Sequence, residues 1–200
     1  MDQGLNTRPG RTRFFDDSAD VALLLRIAEG DRNALRQLYG TYYHPLLRFI
    51  YRITGRLELA QEGVNDVMLV VWRSSRAFGG RSTVSTWIMG IAYRKALKLL
   101  AASRRWTSRF AGVPFDELVE RSDALTEQSD DGDLRDLLDV ALRHLSAEHR
   151  AVVELTYFYG CSYEEIAAIA ACPVNTVKTR MFHARAKLKK LLPVLGKDSP

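Results

Sequence analysis

The sequence predicts an all-α chain of two small helical bundles joined by an acidic linker, the C-terminal one containing a helix-turn-helix. Three observations carry this. Apolar residues recur at helical spacing nearly everywhere, with no strand-like alternation and no hairpin signal. Charge falls in blocks: no acidic residue lies between Asp66 and Asp116, whereas Asp116, Glu117, Glu120, Asp123, Glu127, Asp130 and Asp131 follow against Arg121 alone. Near the C-terminus a capping box, Ser162 with Glu165, is followed by a tight turn and a basic amphipathic helix.

Taken in order, residues 1–17 carry Arg8, Arg11 and Arg13 and no apolar stripe, and read as a flexible tail. Asp17 or Ser18 can cap a helix running to Glu29, which Gly30 ends. Asp31 can cap the next, with Leu35, Leu38, Tyr42, Leu46, Phe49, Ile50 and Ile53; Pro45 should kink or split it, and Gly55 breaks it. A third helix spans about Glu58 to Ser75, with Leu59, Gly63, Val67 and Val71 in one row. Residues 78–82 form a loop, and a fourth helix runs from about Val84 to Ser103. Residues 106–132 are punctuated by Gly112, Pro114, Ser122, Ser129 and Gly132 and read as the linker. Beyond it Leu134, Leu137, Leu138, Ala141, Leu142 and Leu145 make an amphipathic helix, and Ser146 caps the next, which ends near Gly160. Two more helices follow, about Ser162–Ala170 and Asn175–Leu192, across the turn Ala171-Cys172-Pro173. Residues 194–200 read as a second tail.

Composition narrows the function classes. With 200 residues, 46% apolar and 26% charged, the chain is neither wholly disordered nor low-complexity. A net charge of +5 and a pI near 9.3 favour a polyanionic partner. Two cysteines build no disulfide framework, no apolar run reaches membrane-span length, and the first twenty residues lack a signal-peptide core, so a cytoplasmic location is expected. There is no Gly-rich phosphate loop, nucleophile elbow or carboxylate pair, so no catalytic residue and no cofactor are expected. Cys161, Cys172 and His183 stand eleven residues apart without a paired-cysteine motif, and no metal site is expected.

Two segments suit nucleic acid in different ways. In the last helix Val177, Met181, Ala184, Leu188 and Leu191 form a core stripe. Asn175, Thr176, Lys178, Thr179, Arg180, Phe182, His183 and Lys190 lie off it, a set suited to phosphates and base edges of a duplex major groove. The bland alternative is a solvated basic face. In the acid-free stretch, Trp72, Phe78, Trp87, Tyr93 and Trp106 interleave with Arg94, Lys98 and Arg105. Rings stack bases and cations follow the backbone, as single strands require. Each ring alone is as well explained by core packing; the absence of acids is not. One end therefore suggests duplex reading and the other single-strand capture, which together describe a factor that recognises a promoter and opens it.

Three blocks then resemble the extracytoplasmic-function (ECF) sigma factors, small two-domain members of the sigma-70 family. Ala60-Gln61-Glu62-Gly63-Val64-Asn65-Asp66-Val67-Met68 is similar to the family's A-E-D-L-V-Q-D-V-F. Phe78-Gly79-Gly80-Arg81-Ser82, with Ser85-Thr86-Trp87-Ile88 and Ile91-Ala92, is similar to F-x-G-x-S…TW-L…IA. Gly160-Cys161-Ser162-Tyr163-Glu164-Glu165-Ile166-Ala167, with Asn175-Thr176-Val177-Lys178-Thr179-Arg180 and Ala184-Arg185, is similar to G-x-S-Y-E-E-I-A…G-T-V-K-S-R…R-A-R. The chain departs from the pattern at Glu62, Gly63, Asn65, Met68, Arg94, Lys98, Asn175, Thr179 and His183. Gly63 in place of leucine lowers helix propensity by up to ~1 kcal/mol relative to alanine.

The resemblance implies a first domain over 18–105 that binds the clamp helices of the largest polymerase subunit through Glu62, Asn65 and Asp66. It implies −10 melting and capture by Phe78, Arg81, Ser82, Thr83, Trp87, Arg94 and Lys98, with a flipped base held by the 78–83 loop. A second domain over 133–193 would read the −35 element through Asn175, Thr176, Lys178, Thr179, Arg180 and His183. The implied partners are core RNA polymerase (clamp helices and flap), promoter DNA and an anti-sigma factor. Two other readings stay open: a stand-alone operator-binding regulator, which would shift duplex DNA without polymerase, and a decoy for an anti-sigma factor, which would support no transcription.

Overall fold

The computed structural model describes residues 17–110 and 132–195, in eight α-helices and one 3-10 turn. The expected N-terminal tail, most of the linker (111–131) and residues 196–200 lie outside the described residues. The first bundle comprises α1 (Asp17–Ala28), α2 (Arg32–Thr54), α3 (Leu57–Ser74), the 3-10 turn Ser75–Ala77 and α4 (Val84–Phe110). The second comprises α5 (Gly132–Arg143), α6 (Ala147–Tyr157), α7 (Tyr163–Ala170) and α8 (Val174–Leu195).

Local chemistry sets most boundaries. Asp31 caps α2 by accepting the Asn33 and Ala34 N–H groups at 2.8 and 3.1 Å, and Gly55 ends it at φ 70. Asp17 does not act as the cap of its own helix: it lies within α1, and its Oδ1 accepts the Val84 N–H at the start of α4. Pro45 does not split α2, which runs continuously for 23 residues. The helix is held on both sides of the proline by the fully buried Tyr42, Leu46 and Phe49, so packing outweighs the lost hydrogen bond. The fourth helix extends seven residues beyond the expected Ser103, to Phe110. Ser103 is itself buried, and Arg56 Nη1 donates to its hydroxyl at 3.2 Å, so tertiary contact carries the helix past that point.

Gly63 owes its place to packing. A Cβ there would stand 3.0 and 3.1 Å from Ile50 side-chain carbons and 3.1 Å from Leu99 Cδ1. Without one, α3 sits close against α2 and α4 at the point where the three helices meet. The low helix propensity is offset by this approach.

In the second bundle Ser146 caps α6 by accepting the His149 N–H at 3.3 Å. The capping box forms reciprocally: Ser162 Oγ accepts the Glu165 N–H at 3.2 Å, and Glu165 Oε2 accepts the Ser162 N–H at 2.6 Å. Ala171, at φ 49, closes α7 in the left-handed region and turns the chain into α8. Val177, Met181 and Ala184 are buried beneath α8, the expected stripe, while Leu188 packs at its margin.

The two bundles also pack on each other. α2 meets α6, α4 meets α7, and the apolar core runs from one bundle into the other. Phe49 of α2 stacks edge-on against Tyr159 at 5.8 Å, and the Tyr159 hydroxyl donates to the Pro45 carbonyl at 2.6 Å.

Candidate nucleic-acid interface

The α3 surface presents Glu62 and Asn65 exposed, with Asp66 half-buried beside them. These positions fall on one helical face. They differ in freedom. Asn65 Oδ1 accepts the Tyr39 hydroxyl at 3.1 Å, and Asp66 is paired with Lys95 of α4 at 2.9 Å. Glu62 is thus the more available anion, and Asp66 also ties α3 to α4.

The loop before α4 is built around two different tasks. Thr83 is a cap: its Oγ1 accepts the Thr86 N–H at 3.2 Å and lies 3.0 Å from the Ser85 hydroxyl. With Asp17 on the Val84 N–H, the first turn of α4 is fixed from two sides. Phe78 and Trp87 pack against each other with ring centroids 5.4 Å apart, half-buried at the loop base. Arg81 is exposed at the loop tip and Ser82 is half-buried next to it. Along α4, Arg94 and Lys98 are exposed one turn apart, outside the buried Ile91, Ala92 and Ala96. Half-covered rings beside exposed cations form a platform able to stack bases and follow phosphates.

On α8 the expected set divides. Asn175, Lys178, Thr179 and His183 are exposed, with Phe182, 69% exposed, among them. The Thr179 hydroxyl donates to the Asn175 carbonyl at 2.9 Å, which leaves its lone pairs outward. Thr176 is half-buried. His183 stacks on His149 of α6 at 6.1 Å, and burial together with the neighbouring His183 lowers the His149 pKa. Arg180 is turned away from this face. It is half-buried, with Nη1 at 3.9 Å from Cys172 Sγ, and it neighbours Tyr93 of α4. Arg185, further along, donates to the Tyr157 hydroxyl at 2.7 Å.

One charged cluster was not legible in the sequence. Arg52 of α2 donates to Asp139 of α5 at 2.7 Å and to Glu154 of α6 at 3.2 Å. Arg150, 9% exposed, donates to the carbonyls of Leu142, Arg143, Leu145 and, across the junction, Arg52. Its guanidinium pKa is brought down to about 10, chiefly by burial. A run such as Arg52 and Glu154, 102 residues apart, carries no local pattern; a charged residue on the core side of the α6 stripe was the available signal.

Among the described residues no helix is long and apolar enough to cross a membrane. Two family models match separate stretches of the chain. Sigma-70 region 2 matches residues 38–107, and Sigma-70 region 4 matches residues 135–188. The chain is 30% identical over 187 residues to the RNA polymerase sigma-H factor of Pseudomonas aeruginosa, covering 90% of this chain and 97% of that one. It is 30% identical over 184 residues to the ECF RNA polymerase sigma-E factor of Escherichia coli K12, covering 88% and 96% respectively. Among solved structures, RpoE of Bartonella quintana, in complex with the anti-sigma factor NepR, aligns with TM-score 0.65 and 26% identity over 80% of this chain and 96% of that one. CnrH, solved with the cytosolic domain of CnrY, shares the fold at TM-score 0.64 and 24% identity over 90% of this chain and 99% of that one. A helix-turn-helix behind a basic aromatic helix, matched over nearly the full length of its relatives, leaves one assignment: the chain belongs to the sigma-70 family of RNA polymerase sigma factors, in the extracytoplasmic-function group.

Proposed function

We propose that this sigma factor directs core RNA polymerase to its promoters through two separate DNA surfaces and one polymerase-docking face. The observation that carries the reading is the pair of exposed basic faces, Arg94 with Lys98 on α4 and Lys178 with its neighbours on α8, each backed by its own apolar stripe. Residues 18–105 form the module that captures the melted −10 strand, with Phe78 and Trp87 as the stacking pair, Arg81 and Ser82 at the loop, and Arg94 and Lys98 on the backbone. Thr83 acts there as the cap that fixes the loop. Residues 133–193 read the −35 duplex through Asn175, Thr176, Lys178, Thr179 and His183, with Arg180 joining them once it is released from α4. Glu62, Asn65 and Asp66 meet the basic clamp helix of polymerase. The chain acts in the cytoplasm as a non-catalytic subunit. The relative solved with NepR supports regulation by a protein inhibitor.

Run-off transcription tests this directly, with purified core polymerase, this protein and the promoter upstream of its own gene. A specific transcript that vanishes when the protein is omitted is expected. No transcript, together with tight duplex binding by the protein alone, would overturn the reading in favour of an operator-binding regulator.

A further inference from the structure

The edge of α8 that turns toward α6 carries a group of side chains of its own. His183 is exposed and its ring is bracketed. His149 of α6 stacks on it with centroids 6.1 Å apart and an interplanar angle of 30°, and Phe182 meets it edge-on at 5.5 Å. Lys187, one turn further along α8, is also exposed, and its Nζ donates to the His144 carbonyl in the turn between α5 and α6. That bond uses one of the ammonium donors and leaves the others for a ligand. His149 itself is half-buried. Among the described residues, the charged and titratable groups acting on it are His183, Arg180 and Lys187 of α8 and Glu148 of its own helix; Tyr93 of α4 lies beyond, against Arg180 and Glu148. Two cations and a second imidazole thus converge on one imidazole, against a single carboxylate. Such a place is poor for a proton and good for an anion.

We propose that His149, His183 and Lys187 form a cradle for one backbone phosphate of the −35 duplex, so that α6 contributes to the reading surface alongside α8. The proposal rests on the promoter-reading role given to α8 above. His183 and Lys187 continue the i, i+4 ridge begun by Asn175 and Thr179, which makes the cradle an extension of that surface. A recognition helix sets its N-terminal residues on base edges and leaves its later turns to the phosphates beside the groove. Without DNA, burial, His183 and the nearby cations hold the His149 imidazole below its ordinary pKa of 6.5, so it is neutral at physiological pH. A phosphate settling against it offsets those like charges and raises that pKa. The complex then takes up a proton that the free protein does not hold. This contribution to affinity is present below the free-protein pKa and is lost as pH rises through the pKa in the complex. His183, where the family pattern has arginine, gives the cradle its pH dependence, because an arginine would hold the phosphate at every pH.

The test uses holoenzyme reconstituted from core polymerase and this protein. Its affinity for a fluorescein-labelled duplex of the promoter upstream of its own gene is measured between about pH 6 and about pH 8, the range in which imidazoles change charge. His149→Phe keeps a ring against His183 but carries no proton. His149→Gln is a second neutral replacement and decides if the first loses its helix by far-UV circular dichroism. Comparison with these variants cancels the pH dependence of the rest of polymerase. Relative to them, the wild type is expected to bind roughly fivefold more tightly at the acid end than at the alkaline end, which a pKa about one pH unit higher in the complex gives over this range. At the acid end its slope of log affinity against log salt should be steeper than that of His149→Phe by up to roughly 0.9, the value for one duplex phosphate, with no difference at the alkaline end. His183→Arg should bind at the alkaline end as tightly as the wild type does at the acid end. Coincident pH profiles for the wild type and the His149 variants would overturn the phosphate site and leave the sigma reading standing, as would a His183→Arg profile as steep as that of the wild type. Promoter binding by wild-type holoenzyme no tighter than by core polymerase alone would instead overturn the sigma reading, and the site with it.

Discussion

Asp17 Oδ1 accepts the backbone N–H of Val84 at 2.7 Å, across 67 residues of sequence. The first residue of α1 therefore serves as a cap for α4, the helix that carries the exposed Arg94 and Lys98. Thr83 supplies the local half of the same cap. Asp17→Ala removes a charge-assisted acceptor from an N-terminus that already favours anions. The expected loss is roughly 1 kcal/mol of stability. Urea denaturation followed by circular dichroism checks it, and an unchanged midpoint would show that the Thr83 hydroxyl suffices.

Gly63 gives a second prediction, opposite to what family resemblance suggests. Restoring leucine would raise helix propensity, but its Cβ alone meets Ile50 and Leu99 carbons at 3.0–3.1 Å. Overpacking outweighs propensity here, so Gly63→Leu should destabilise by about 1–3 kcal/mol. Thermal melting of the purified variant measures this. A raised melting temperature would mean that α3 can shift outward.

The contrast between Gly63 and Ser162 shows what the sequence could reveal. The Ser162–Glu165 box, the Asp31 cap and the α8 stripe are local, so spacing alone located them. The all-α class and two-bundle order followed from the same periodicity. Gly63 and Asp17 have partners 13 to 67 residues away, and nothing in their neighbourhood announces them. The same holds for Arg52 with Glu154. At the candidate site, α8 composition placed Asn175, Lys178, Thr179 and His183 on the outer face. It could not show that Arg180, with equal chemistry, turns inward, because that depends on α4 arriving beside it.

Glu154 makes the junction sensitive to pH. Burial raises its carboxyl pKa to about 7, only partly opposed by Arg52 of α2 and Arg150 of α6, while Asp139 of α5 adds to the rise. A carboxyl whose folded pKa is raised contributes most when protonated, below its ordinary value of 4.5. That contribution is lost as pH rises through about 7. The wild type should therefore melt at progressively lower temperature between about pH 5 and about pH 8, relative to Glu154→Gln, whose neutral amide has no such dependence. Parallel slopes for the two proteins over this window would show that Glu154 keeps its charge throughout.

Arg94 and Lys98 allow the proposed nucleic-acid role of α4 to be separated from its structural role. Both are exposed, one turn apart, outside the buried Ile91, Ala92 and Ala96 of the same helix. Substitution at such positions usually changes stability by no more than about 0.5 kcal/mol. Reversing both charges places two anions where the single-strand backbone should run, in a segment otherwise free of acids between Asp66 and Asp116. Arg94→Glu with Lys98→Glu should abolish run-off transcription while leaving the melting temperature and co-purification with core polymerase intact, since Glu62 and Asn65 lie on α3. The salt dependence of binding gives a second readout, because each lost phosphate contact reduces the slope of log affinity against log salt by roughly 0.7 for a single strand. Full transcription by the doubly reversed protein would place −10 capture elsewhere, with Arg81 and the Phe78–Trp87 pair as the remaining platform.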